Sequence, residues 1–436
     1  MRHTYFPAAL SFAACLVLSS AAAAESAPTF SKDVAPLIYK NCASCHRPGD
    51  IAPMPLLTYD QVRPWAKSIR ARVSLGTMPP WHSDAPRGTF SNDRRLTDTE
   101  KATIVKWVDA GAPQGDAKDM PPLSEFSEAW HIGKPDAVFT MEKPYEVPAT
   151  GTVAYQYFTI PTNFTEDKWV QAIEVRPGAR KVVHHILVFM KEAGDAKPRR
   201  DAYTVVVPPP QERPTRPAEG GNGGRGGGPG TLLATTAPGT NAMVFEPGAA
   251  MRISAGSTLM LQVHYTANGK ESATDQSSVA MVFAKEPPTK EMRTSSFANP
   301  SMMLPAGSAD TAIPAAIVFD QDAHITAIFP HTHLRGKSWQ YTLVYPDGHS
   351  QVVLPVPTYD FNWQTYYIFS NPVAAPKGSR LEAVAHYDNS VNNRSNPDAT
   401  IDVRWGEQTW QEMQYTGITY TVDGASPADH PSVAAR

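Results

Sequence analysis

The residues best placed to do chemistry in this chain are histidines, one methionine and two cysteines. His331 and His333 stand one residue apart in Phe329-Pro330-His331-Thr332-His333-Leu334-Arg335-Gly336-Lys337. They close an apolar run, Ala323 to Phe329, that reads as a strand, and side chains two apart on a strand share a face. Two imidazoles side by side suit a metal ion; a surface pair or a hydrogen-bonded core pair is the alternative. His184 and His185 are adjacent in Val183-His184-His185-Ile186. Neighbours on a regular strand face opposite ways. Both reach one ion only at a strand end, at a bulge, or through different ring nitrogens. His264 sits in Leu261-Gln262-Val263-His264-Tyr265, where a lone histidine is ordinarily a satisfied core residue. Met413, in Gln411-Glu412-Met413-Gln414-Tyr415, is either a soft ligand or a packing residue.

Cys42-Ala43-Ser44-Cys45-His46 is the attachment pattern of a c-type haem. The two thiols add to the haem vinyl groups, and His46 is placed to ligate the iron. A redox dithiol would leave His46 unexplained, and a zinc site would need a second pair. The sixth ligand is expected to be Met78, in a loop stiffened by Pro79 and Pro80; Met54 and His82 are its rivals. The stretch 28–115 resembles small class I cytochrome c domains, from Phe30-Ser31-Lys32-Asp33-Val34-Ala35-Pro36-Leu37 through a final helix, Thr97 to Ala110, with Trp107. That resemblance implies a small all-α domain that moves one electron at a time.

The positioning elements follow from the rest of the chain. Residues 1–24 carry Arg2, an apolar run from Ala8 to Leu18 and a small-residue end at Ala24, the pattern of a cleaved signal peptide. The protein is therefore expected in the periplasm or secreted. Cys15 raises a lipoprotein alternative, but the apolar run continues past it. No other stretch approaches membrane-spanning length. The chain has 3 cysteines, and with Cys15 in the leader none remains for a disulfide beyond the haem motif. Net charge is −3, with no basic run, which argues against nucleic acid and anionic membrane as partners.

Residues 116–129, with Pro121-Pro122, read as a linker. From 130 onward, short runs rich in Val, Ile, Phe, Tyr and Thr recur between turns such as Arg176-Pro177-Gly178 and Pro346-Asp347-Gly348. This is the texture of β-sandwiches or jelly rolls. The expected architecture is multidomain: the all-α cytochrome c domain, then two tandem all-β jelly-roll domains at 130–292 and 293–425. The Gly/Pro-rich stretch 208–230 cannot bury apolar surface and is expected to be a surface loop; 426–436 is expected to be a disordered tail.

In chain order the donors run His-His, His, His-x-His, Met. That order, over 130–425, resembles the copper type II, ascorbate-dependent monooxygenases, which include the peptidylglycine and dopamine β-hydroxylating enzymes. The resemblance rests on Val183-His184-His185-Ile186, Leu261-Gln262-Val263-His264-Tyr265, His331-Thr332-His333-Leu334-Arg335-Gly336-Lys337 and Glu412-Met413. It implies two copper ions, each in its own β domain. His184, His185 and His264 would hold an electron-storing copper. His331, His333 and Met413 would hold the copper that meets dioxygen beside the substrate. Peptide-amidating relatives clamp a substrate carboxylate with an arginine and a tyrosine; the matching positions here are Phe329 and Gly417. A small, more apolar organic substrate is expected instead. The fused haem segment suggests that haem, supplied by a periplasmic donor, feeds the coppers in place of ascorbate. A non-catalytic electron-transfer or copper-binding protein is the competing reading. His386, near Asp388 and Asn389, stands as a core or supporting histidine, with Asp388 and Asn389 able to orient a ligand ring.

Overall fold

The computed structural model describes residues 27–48, 50, 52–122, 130–194, 201–206, 230–240 and 242–425. The expected signal peptide 1–24, the second half of the expected linker (123–129), nearly all of the expected 208–230 loop and the expected 426–436 tail lie outside the described residues.

The chain is mostly β, arranged as sandwich-like, jelly-roll-like sheets with few helices. In the first half, Gln156–Pro161, Thr258–Tyr265, Val183–Lys191 and Thr231–Thr236 form one sheet. A second is built on Lys168–Arg176, flanked by Ser278–Phe283 and Ala249–Ile253. The period-two pattern explains the stacking: Leu259, Leu261 and Val263 are fully buried, while Thr258, Met260 and Gln262 between them are half-buried. Inward side chains of both sheets meet in one apolar core that includes Ile173, Val188 and Leu261.

The second half repeats the plan. Arg293–Ala298, Tyr415–Val422, Ala323–His331 and Tyr367–Ala375 form one sheet; Ser350–Val356, Gly336–Val344, Arg380–Tyr387 and Thr311–Phe319 form the other. Their core includes Ile325, Ile328, Tyr341 and Leu381. Sheet membership changes between Glu291, paired with the first half, and Arg293, paired with the second. Tyr203–Val206, numbered inside the first half, crosses over and pairs with Thr311–Phe319.

Helices lie near the start: Ala35–Asn41, the single turn Tyr59–Val62, Ala66–Ser74 and Asp98–Asp109. Thr97 and Glu100 close a reciprocal capping box that fixes where the last one begins. Phe30, Ile38 and Trp107 pack together among them. The region is not a free-standing module. Trp81, Ala85 and Phe90 leave the helices and enter the core of the second β half. The chain from Thr89 to Asn92 then hydrogen-bonds along Tyr366–Ser370. Ser91 N–H donates to the Ile368 carbonyl at 2.9 Å, and Ser370 N–H to the Thr89 carbonyl at 2.9 Å. The Asn92 side chain donates to the Tyr366 carbonyl at 2.6 Å and accepts from Ile368 N–H at 3.1 Å. Two large aromatic side chains find in the sandwich the burial that so few helices cannot supply. Among the described residues, no helix is long and apolar enough to cross a membrane.

Candidate metal centre

Val183–Lys191 and Thr258–Tyr265 are antiparallel neighbours, with His185 opposite His264. The ladder then slips: Tyr265 faces Val183, so His184 is an extra residue in a bulge one position inside the strand end. This irregularity lets adjacent histidines converge. His184 Nδ1 and His185 Nδ1 are 3.1 Å apart. Two nitrogens each about 2.0–2.1 Å from one ion, at right angles or tetrahedrally disposed, are separated by about 3 Å. One ligand nitrogen from each of His184, His185 and His264 lies within 4.8 Å of the others. Two of the outer nitrogens are already engaged. Tyr155 hydroxyl meets His185 Nε2 at 3.1 Å, and Thr409 hydroxyl meets His264 Nε2 at 3.2 Å. Buried His264 Nδ1 has no hydrogen-bond partner. All three rings thus present Nδ1 inward, as a site built for a cation would.

The second pair sits where Ala323–His331 ends. His331 is the last strand residue, paired with Tyr415, and His333 lies beyond it. Extended two residues, the same register sets His333 opposite Met413. Gln364, only 1 % exposed, faces His331 Nδ1 with its Oε1 at 2.7 Å, leaving Nε2 for a metal. His333 Nδ1 faces the Gln411 carbonyl at 3.3 Å, and its buried Nε2 is unpartnered. Here the inward atoms are Nε2. Glu412 ties the methionine segment to this strand end. Its carboxylate accepts N–H bonds from His333 (2.8 Å), Arg335 (2.6 Å) and Met413 (3.3 Å). Tyr387 hydroxyl donates to the Met413 carbonyl at 2.6 Å. Burial pushes Glu412 up to about 7, against those donors and the nearby Arg335 guanidinium.

The two sets meet. The rings of His185 and His331 lie 5.6 Å apart, and Phe361 stacks on His184 at 4.4 Å while touching His333 at 5.9 Å. His184, His185 and His264 belong to the first β half and His331 and His333 to the second, and the five imidazoles face one another across the seam between the halves. Burial, with neighbouring imidazoles adding to it, lowers their proton affinity. His184 falls to about 3 and His264 to about 4, while His185 and His333 fall well below the ordinary histidine range. Burial alone brings His331 to about 4, against its Gln364 hydrogen bond. Neutral imidazole is the form that binds metal. Imidazole nitrogens so grouped can hold a metal ion.

Near the helices, Cys42 and Cys45 are free thiols, and burial, then the neighbouring Cys45, pushes Cys42 up to about 12. His46 Nδ1 is 3.1 Å from the Met54 carbonyl, which leaves Nε2 free for iron. A cleft of about 280 Å³ opens beside Cys45, against Glu174 and Thr235 of the first β half. Two thiols and an imidazole nitrogen are thus grouped in one turn, the set that covalent haem attachment would require. Met78 follows the Ala66–Ser74 helix, half-buried, with its N–H on the Arg72 carbonyl. His82 is turned toward Thr358 and Asp360 of the second β half.

His386 departs from its expected role: it is a partly exposed residue bonded to Asp310 at 2.9 Å. Asn389 holds Arg335 at 2.9 Å rather than a histidine ring. Sequence reasoning missed Tyr155, Gln364, Phe361 and Thr409, which carry no motif; Glu412 was seen only as the neighbour of Met413.

No family model matches this chain, and no curated protein matches it. Among solved structures, the major capsid protein P2 of bacteriophage PM2 aligns over 64% of this chain and 97% of its own, at 9% identity and a TM-score of 0.29. The cowpea mosaic virus top component aligns over 70% of this chain and 96% of its own, at 8% identity and a TM-score of 0.30. At such scores neither overlap carries an argument about the site.

Proposed function

We propose that this chain is an exported copper-dependent monooxygenase that hydroxylates a C–H bond with dioxygen and draws its electrons through a covalently attached haem c. The observation that supports it most is the convergence of five neutral imidazoles from both β halves, three offering Nδ1 and two offering Nε2 to one buried seam. His184, His185 and His264 would hold one copper, and His331, His333 and Met413 the other. Cys42 and Cys45 would carry the haem, and His46 and Met78 would hold its iron. When bound, copper supplies one-electron redox change and dioxygen activation, which imidazole and thioether ligation supports. The reaction balances as R–H + O2 + 2 electrons + 2 protons giving R–OH + H2O. The chain's own contribution is preorganisation. Gln364 fixes the His331 ring, Glu412 fixes the His333 and Met413 backbones, and Tyr155 and Phe361 cover the rings.

The decisive experiment measures copper per chain, then substrate-dependent oxygen uptake, in the native protein and in Met413→Ile. Two coppers with hydroxylated product, lost in Met413→Ile while the haem spectrum persists, is the expected result. Two coppers with no oxygen uptake across candidate apolar substrates would favour the copper-carrier reading. Fewer than two coppers would end the proposal.

A further inference from the structure

A cleft of about 770 Å³ opens between the two β halves and the Ser91–Asn92 segment. Val244, Phe245, Ala327, Ile368 and Phe369 give it an apolar lining. Its charged groups are matched in pairs: Lys290 with Glu246 at 3.0 Å, His324 with Asp423 at 3.0 Å, and Glu291 with Arg293 at 2.9 Å. An anionic ligand would have to break one of these pairs to find a cation among the described residues.

One strand face joins the cleft floor to the metal centre. Ala327, Phe329 and His331 alternate on the same side of Ala323–His331, and four residues of strand span about 13 Å. Between cleft and histidine stand the stacked rings of Phe329 and Tyr366, 5.1 Å apart and tilted by 18°. Gly417, opposite Phe329, leaves them room: a Cβ there would meet Phe329 Cβ at 3.3 Å and the Tyr366 hydroxyl at 3.4 Å. Asn92 holds the Tyr366 carbonyl, so the N-terminal segment helps to set this wall.

We propose that this cleft binds an uncharged, largely apolar small molecule and delivers it past the Phe329–Tyr366 ring pair to the His331 side of the metal centre. Its volume lies in the range of sites for small organic ligands. That the occupant is the substrate rests on the monooxygenase reading; that the cleft binds it does not.

The test titrates the full chain with the neutral fluorophore N-phenyl-1-naphthylamine and, separately, with its anionic relative 8-anilinonaphthalene-1-sulfonate. Saturable binding of the neutral probe is expected, at least tenfold tighter than the anion. Ala327→Trp fills the cleft floor and should weaken the neutral probe at least tenfold. Val244→Trp, at a position 63% exposed, should weaken it several-fold without touching the core, and it decides the matter if Ala327→Trp misfolds by circular dichroism. Equal affinity for the anion, or unchanged neutral-probe affinity in the folded variants, overturns the proposal. Elemental analysis separates the two readings: probe binding as described in a protein that takes up no copper leaves this site standing and removes the enzyme.

Discussion

The two histidine pairs reach the same end by opposite means. His331 and His333 obey strand alternation and need only a strand that stops at the right residue. His184 and His185 violate it, and a bulge opposite Tyr265 brings them together. The supports differ as well. The regular pair is held by an amide and a buried carboxylate, Gln364 and Glu412. The irregular pair and His264 are held by two hydroxyls, from Tyr155 and Thr409. A regular ladder fixes where side chains point but leaves the strand end to be anchored. A bulge aims the rings by itself and leaves less for its neighbours to do.

Acid should strain both sets most. An unfolded imidazole takes a proton near pH 6.5, whereas folded His184, His264 and His331 resist to about 3, 4 and 4. Between those values the unfolded chain binds more protons, so stability falls as pH falls and is unaffected above about pH 7. At pH 5 the loss is about 2 kcal/mol per imidazole, or about 6 kcal/mol for these three. Denaturant melts of metal-free protein at pH 7 and pH 5 measure it. His331→Leu and His264→Leu should each remove about 2 kcal/mol of the loss between pH 7 and pH 5; a curve that neither flattens contradicts the burial argument.

Next in size is the brace that only the second set has. Glu412→Ala strips three buried N–H groups of their acceptor and removes the charge nearest the Arg335 guanidinium, and should cost about 3–5 kcal/mol in a melt. Tyr155→Phe, its counterpart on the first set, should cost about 1 kcal/mol. Comparable losses would dissolve the distinction drawn here.

The smallest effects sharpen the comparison furthest. Gln364→Leu should weaken copper about 10–100-fold at one of two sites, and Tyr155→Phe should do so at the other, since groups behind a ligand orient it. Competition with a copper chelator, read as a two-step titration, resolves them. Loss of both steps in either variant would mean that the sets bind as one unit.

Much of the site was legible in the residues. Cys42-Ala43-Ser44-Cys45-His46 states its chemistry in one motif, and His-x-His at the end of an apolar run states its geometry. The adjacent pair could be reduced to a strand end, a bulge or the use of different ring nitrogens, and the fold uses the first two. Gln364, Tyr155, Thr409 and Phe361 could not be found this way, because each acts from a segment far along the chain. Nor does any local pattern announce that residues 89–92 continue the Tyr366–Ser370 edge, or that Tyr203–Val206 crosses to the second half.

Residue type and spacing by themselves determined which atoms can ligate and which faces of their strands they occupy, because alternation is a property of the backbone. Only the tertiary structure decided that His185 and His331 stand 5.6 Å apart and that an apolar cleft opens between the two halves at the far end of the same strand face. Those depend on how two sandwiches dock, and docking is set by the summed shape of many side chains rather than by any short run of them.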